Sequence, residues 1–127
     1  MNSKEMALVA ARAMDAKKGS KIKVLKLEDL TLVTDYFIVA TGNSRAQTQA
    51  LADAVEKKFK EDYDIQVNRI EGFQEGRWIL LDYGQIIVHI FQEDERNFYN
   101  LERLWADAPC LPDTEVFPEG AAGEVGK

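Results

Sequence analysis

The sequence predicts a compact α/β (α+β) domain, a mixed β-sheet of about five strands with three helices. Three observations predict it. Apolar residues recur at helical spacing over 3–17 and 45–62. Alternating or continuous apolar runs over 21–24, 36–40, 65–71, 77–82 and 85–91 read as strands. The two kinds of segment interleave, in the order helix, strand, strand, helix, three strands, helix.

Met6, Val9, Ala10, Ala13 and Met14 form the stripe of the first helix, and Gly19 is a stop just beyond it. Lys21-Ile22-Lys23-Val24 alternates as a first strand. Leu27, Leu30, Leu32 and Val33 are irregularly spaced, which predicts a loop that tucks its apolar groups inward. The apolar run 36–40 is a buried strand, and Thr41-Gly42-Asn43-Ser44 ends it. Ser44 followed by Gln47 fits a capping box, so a helix starts at Arg45. Leu51, Ala54, Val55 and Phe59 give that helix one apolar stripe, running to about Asp62. A third strand over 65–71 and a turn over 72–76 follow. The strands 77–82 and 85–91 are joined at Tyr83-Gly84, with Gly available for positive φ. Asp94 can cap a last helix over 95–106. Beyond Pro109, three glycines and two further prolines accompany little apolar content. One domain over 1–108 and a disordered tail over 109–127 are therefore predicted.

Composition bounds the function. A chain of 127 residues builds one core and not two. With 46% hydrophobic and 30% charged residues it reads as an ordinary soluble domain. No apolar run approaches the ~18–20 residues of a membrane span, and Met-Asn-Ser-Lys-Glu lacks the apolar core of a secretory signal. A cytoplasmic location and no membrane partner are expected. The single Cys110 excludes an internal disulfide and a multi-cysteine zinc site. A metal site would need a second histidine or further ligands beside His89, so no metal and no cofactor are expected.

The net charge of −6 hides an asymmetry. Residues 1–27 carry seven Lys/Arg against two acids, and residues 93–115 carry two Arg against seven acids. An acidic chain is a poor tracker of nucleic-acid phosphates. An acidic patch suits a basic protein partner better.

The hairpin can be read as two faces. Burial puts the aliphatic lists, Ile79 and Leu81 with Ile86, Val88 and Ile90, on one side. A two-residue loop at Tyr83-Gly84 does this and places Trp78 opposite His89. A three-residue loop with Gly84 in a bulge is also chemically reasonable and swaps the matching; packing favours the first. The other face is then mixed: Trp78, Leu80, Asp82, Gln85, Ile87 and His89. Such a face is either partly open or covered by a partner. The plainer reading makes Trp78 and Trp105 core residues under the last helix, and His89 a hydrogen-bonded packing residue. Arg96, Tyr99, Glu102 and Arg103 recur at helical spacing, which otherwise describes a solvated face with weak ion pairs.

An enzyme reading finds little purchase. Gly42-Asn43-Ser44 precedes a helix N-terminus where a phosphate could dock, but no glycine-rich fingerprint accompanies it. Nucleotidyl transfer needs two or three carboxylates converging on metal. Asp53 and Glu56 lie on a helix and Asp82 stands alone at its strand end. No catalytic residue is assigned.

The chain resembles the ribosomal silencing factor family, also called the Iojap-like proteins. The matching pieces are DYFIVATGNS at 35–44, Glu71-Gly72, WILLDYG at 78–84, VHIF at 88–91 and the segment 96–105. One departure is Gln47, where many members carry histidine. The resemblance implies a nucleotidyltransferase-like fold without the catalytic carboxylates, and function by binding rather than catalysis. It implies docking on the large ribosomal subunit through large-subunit ribosomal protein fourteen. That docking would block joining of the small subunit and repress translation. Free members of the family can be homodimers, and the resemblance implies that this chain can be one too. The partner-binding residues expected on this basis are Trp78, Asp82, Tyr83, His89, Arg96, Tyr99, Glu102 and Trp105, with a minor ribosomal RNA contact through the basic N-terminal segment. The alternative is a nucleotide-binding or nucleotidyltransferase-like enzyme.

Overall fold

Both long helices begin at side chains that satisfy their free N–H groups. The computed structural model describes residues 1–118. Helix α1, Ser3–Ala16, starts at a capping box in which Asn2 and Glu5 exchange backbone and side-chain bonds. Helix α2, Arg45–Tyr63, starts where Ser44 Oγ accepts from the Gln47 N–H at 3.0 Å. Gln47 itself reaches one residue further back than a capping box requires. Its Oε1 accepts from the Asn43 N–H, and its Nε2 donates to the Lys18 carbonyl at 3.0 Å. That side chain ties the start of α2 to the end of α1.

Five strands form one sheet in the order β1-β2-β5-β4-β3. They are β1 Ser20–Lys26, β2 Tyr36–Gly42, β3 Arg69–Glu71, β4 Trp78–Asp82 and β5 Ile86–Gln92. The central β2–β5 pair is parallel and the other pairs are antiparallel. This is the mixed α/β architecture the sequence predicts. The main core lies between the sheet and α1–α2, where Ala7, Ala10 and Ala11 let α1 approach closely over Ile38, Ile79, Val88 and Ile90. A second, smaller cluster on the opposite face joins Leu25, Leu27, Val39 and Phe91 with Trp78 and Trp105.

Several expectations are corrected. The hairpin pairs Asp82 with Ile87 and Trp78 with Phe91, so Trp78 does not face His89. Tyr83 follows directly on β4, its N–H bonding the Ile86 carbonyl at 3.0 Å, and the bend is at Gly84-Gln85. Gly84 has φ +81°, and Asp82 Oδ1 accepts its N–H at 2.8 Å. The register differs by two residues, an even number, so both predicted face lists survive. Strand β3 is three residues long and not seven; at its predicted start the Ile65 N–H instead bonds the Phe59 carbonyl and closes α2 after left-handed Asp64.

The last helix is interrupted. It begins at Glu93, so Asp94 lies in its first turn and is not the cap. Asn100, at φ +47°, separates α3, Glu93–Tyr99, from α4, Leu101–Leu104. The tail is not free over 109–118. The Lys26 N–H bonds the Pro109 carbonyl and the Leu111 N–H bonds the Val24 carbonyl, so this segment covers the edge of β1. Helix α5, Asp113–Val116, then buries Val116 in the main core, and Arg12 Nε donates to the Val116 carbonyl at 2.8 Å. The expectation of disorder over 119–127 falls outside the described residues. The loop between β1 and β2 buries Leu27 but leaves Leu30, Leu32 and Val33 exposed.

Candidate partner-binding face

The sheet face away from α1 and α2 is only half covered. Strand alternation puts Phe37, Val39, Trp78, Leu80, Asp82, Ile87, His89 and Phe91 on it. Segment α3–α4 crosses one part. Leu101, Trp105 and Ala108 pack there with Phe37 and Val39. Leu80, Asp82 and Ile87 remain partly exposed beyond it.

Aromatic rings bind the covered part together. Trp78 lies 4.9 Å from Phe91 and 4.6 Å from Tyr99, and Phe37 meets His89 and Trp105 edge to face at 4.6 and 5.9 Å. Although Trp78 and His89 are not paired across the strands, they are diagonal neighbours. Trp78 Nε1 donates to His89 Nδ1 at 3.1 Å. That bond makes Nδ1 the acceptor, so the neutral ring carries its proton on Nε2. His89 Nε2 is buried with no partner among the described residues. Burial pushes the His89 pKa down to about 4, so the ring is neutral near pH 7. With its N–H engaged, Trp78 presents only ring surface to a partner.

Arg96 sets the course of α3–α4. Its guanidinium grips Glu102 with two bonds, of 3.1 and 2.9 Å, and also donates to Thr41 Oγ1 at 2.8 Å and to the Lys21 carbonyl. In an unbroken helix Arg96 and Glu102 would point apart, since six residues turn the chain through about 600°. The break at Asn100 brings them together. Arg96 is thus a buried clamp and not part of a solvated face.

The expected contact residues therefore divide. Trp78, Asp82, Glu102 and Trp105 are half-buried on or beside this face, and Tyr99 is 46% exposed. His89 and Arg96 lie beneath it. Tyr83 is on the wrong face. It packs 4.6 Å from Phe59 in the main core, and burial pushes its hydroxyl pKa up. Sequence reasoning missed Phe98 and Leu104, which are 80% and 76% exposed on the outer side of α3–α4. Large apolar residues off the stripe of an amphipathic helix were the available signal. A hollow of about 540 Å³ between α1 and α2 lies on the far side of the molecule, lined by both basic and acidic side chains, Arg12, Lys57 and Lys58 with Glu61 and Asp62, beside Tyr63 and small apolar residues. It shares no residue with this face.

The family model described as "Ribosomal silencing factor during starvation" matches residues 1–124. The chain belongs to the ribosomal silencing factor family. The ribosomal silencing factor RsfS of Bacillus subtilis is 47% identical over 109 residues, which are 86% of this chain and 92% of that protein. A crystal structure of a Chromobacterium violaceum protein superposes with a TM-score of 0.80 at 36% identity, covering 84% of this chain and 88% of that one. A second crystal structure, from Bacillus halodurans, gives 0.75 at 38% identity and covers 86% and 98%. The fold of this silencing-factor chain is thus the fold of solved relatives.

At the start of α2, where a phosphate could dock, the Asn43 and Gln47 N–H groups already hold Gln47 Oε1 and Ser44 Oγ. Among the described residues no cluster of three or more His, Cys, Asp or Glu is placed to hold a metal ion.

Proposed function

We propose that this chain represses translation by binding the large ribosomal subunit through large-subunit ribosomal protein fourteen and blocking small-subunit joining. The observation that carries the reading is the half-open sheet face. Trp78, Tyr99 and Trp105 stand beside Leu80 and Ile87, and the strands and α3–α4 that build this surface also carry Asp82, Glu93, Asp94 and Glu102, of which Glu102 pairs with Arg96, Glu93 with Lys21, and Asp82 lies 3.7 Å from Arg69. Aromatic area with a charged rim is the composition of a protein–protein contact. An acidic rim suits the basic proteins of a ribosome. The family description supplies the silencing role. The mechanism is steric, and no bond is made or broken. A contact of about 1,600 Å² is enough to hold it.

The basic N-terminal segment adds a minor contact to ribosomal RNA. Lys17, Lys18, Lys21 and Lys23 are all exposed. The chain acts in the cytoplasm and forms a homodimer when free. No helix among the described residues is long and apolar enough to cross a membrane.

The test is sedimentation through a sucrose gradient. The protein is expected to travel with free large subunits and stay off preformed whole ribosomes. Asp82→Lys and Tyr99→Ala, both at accessible positions, are expected to weaken that association at least tenfold, the loss typical of a contact residue in the range of ~1.4 kcal/mol or more. Equal recovery with isolated small subunits defeats the reading.

A further inference from the structure

The loop between β1 and β2 holds an anomaly. Leu30, Leu32 and Val33 are 45%, 104% and 73% exposed within four residues. Isolated apolar residues on a surface are ordinary, but a cluster on one fixed loop is not. The loop is fixed. The Leu30 and Thr31 N–H groups both bond the Leu27 carbonyl, and the Val33 N–H bonds Thr31 Oγ1. Thr34 Oγ1 donates to the Gly84 carbonyl at 3.0 Å, and the Asp35 N–H bonds the Gln85 carbonyl at 3.0 Å. The loop is thereby closed on itself at Leu27 and Thr31 and pinned to the β4–β5 turn through Thr34 and Asp35, with Leu30, Leu32 and Val33 exposed. Little ordering entropy is left to lose on binding.

We infer that Leu30, Leu32 and Val33 are a second contact element for the same partner, seating in an apolar hollow of a basic protein. This rests on the proposed function. Two observations select the occupant. The loop is hydrogen-bonded to the turn whose strands carry Asp82 and Ile87, so one partner on the open face reaches both. The apolar tip is flanked by Glu28, Asp29 and Asp35, with Lys26 offsetting only Glu28 at 3.9 Å. Such a rim repels RNA and anionic lipid surfaces. It also repels the same loop on a second copy. It attracts a basic protein.

The test compares the wild type with Leu32→Ser/Val33→Ser, and Leu32→Lys with Leu32→Glu, in binding to purified large subunits. Melting temperature and size-exclusion elution are recorded alongside, together with pelleting on phosphatidylglycerol vesicles. The double variant is expected to melt as the wild type does, since both side chains face solvent. Its affinity for large subunits is expected to fall at least tenfold, a lower bound on what losing two aliphatic side chains buried at a contact implies. Leu32→Lys is expected to bind more weakly than Leu32→Glu. An affinity within twofold of the wild type, with the wild type bound, overturns the loop alone. A wild type that does not bind large subunits overturns the proposed function and the loop with it. A variant that loses self-association or vesicle binding while keeping its affinity for large subunits assigns the loop elsewhere and overturns the inference.

Discussion

The Tyr83 hydroxyl is buried with no hydrogen-bond partner among the described residues. Removing it relieves a desolvation cost, so Tyr83→Phe is expected to leave stability unchanged or raise it by up to about 1 kcal/mol. Tyr83→Ala instead empties space beside Phe59 and is expected to cost about 3–5 kcal/mol. Urea unfolding reads both, and a clear loss in the Phe variant contradicts the orphaned hydroxyl. His89 makes a pH prediction. The unfolded chain takes up a proton below about pH 6.5, while the folded ring resists it until about pH 4. Stability is therefore full above pH 6.5 and falls as pH drops toward 4, by about 2 kcal/mol at pH 5 from this group. His89→Gln cannot titrate and is expected to lose that part of the slope between pH 7 and pH 5. Equal slopes in the two proteins contradict the assignment. The packing role of His89 was legible as the plainer of two readings, because a lone histidine among β-formers has few other uses, whereas the resemblance puts it among the contact residues and it lies buried beneath the face. The burial of Tyr83 was not. Beside Gly84 it reads as a turn residue, and only contact with Phe59 on a distant helix draws it inward.

Elements were legible where one face repeats. The stripes of α1 and α2 and the two hairpin faces follow from periodicity alone. Periodicity fixes a face but not a register, so the hairpin could slide by two residues without disturbing any face. The break at Asn100 was invisible because Arg96 and Glu102 are partners only once the helix is broken. The segment after Pro109 was misread for a different reason. Its apolar content is too low to fold alone, yet Val116 needs only a site on a core that already exists. Ending the chain at Asp113 is accordingly expected to lower the melting temperature by about 5–10 °C, the shift of roughly 1–2 kcal/mol in a domain of this size. Val116→Ala should reproduce part of that fall, through the cavity it leaves. An unchanged melting temperature in both would mean that α5 contributes nothing to the fold.

At the scale of the whole molecule, the family was legible in a few short motifs, whereas which aromatic residues reach the surface was not. Which of Trp78, Tyr83, Tyr99 and Trp105 faces outward depends on how α3–α4 crosses the sheet, and the buried Arg96 clamp decides that. The resulting molecule is two-sided. Helices α1 and α2 close one face of the sheet, and the other is left half-open with aromatic groups and acids around it. A rigid body of this kind acts by occupying space. Subunit joining tests that most directly. Large subunits saturated with the protein are mixed with small subunits, and formation of whole ribosomes is followed by light scattering. The account predicts a joined fraction that falls with occupancy and no effect when the protein is added after joining. Full joining on large subunits that demonstrably carry the protein would contradict it.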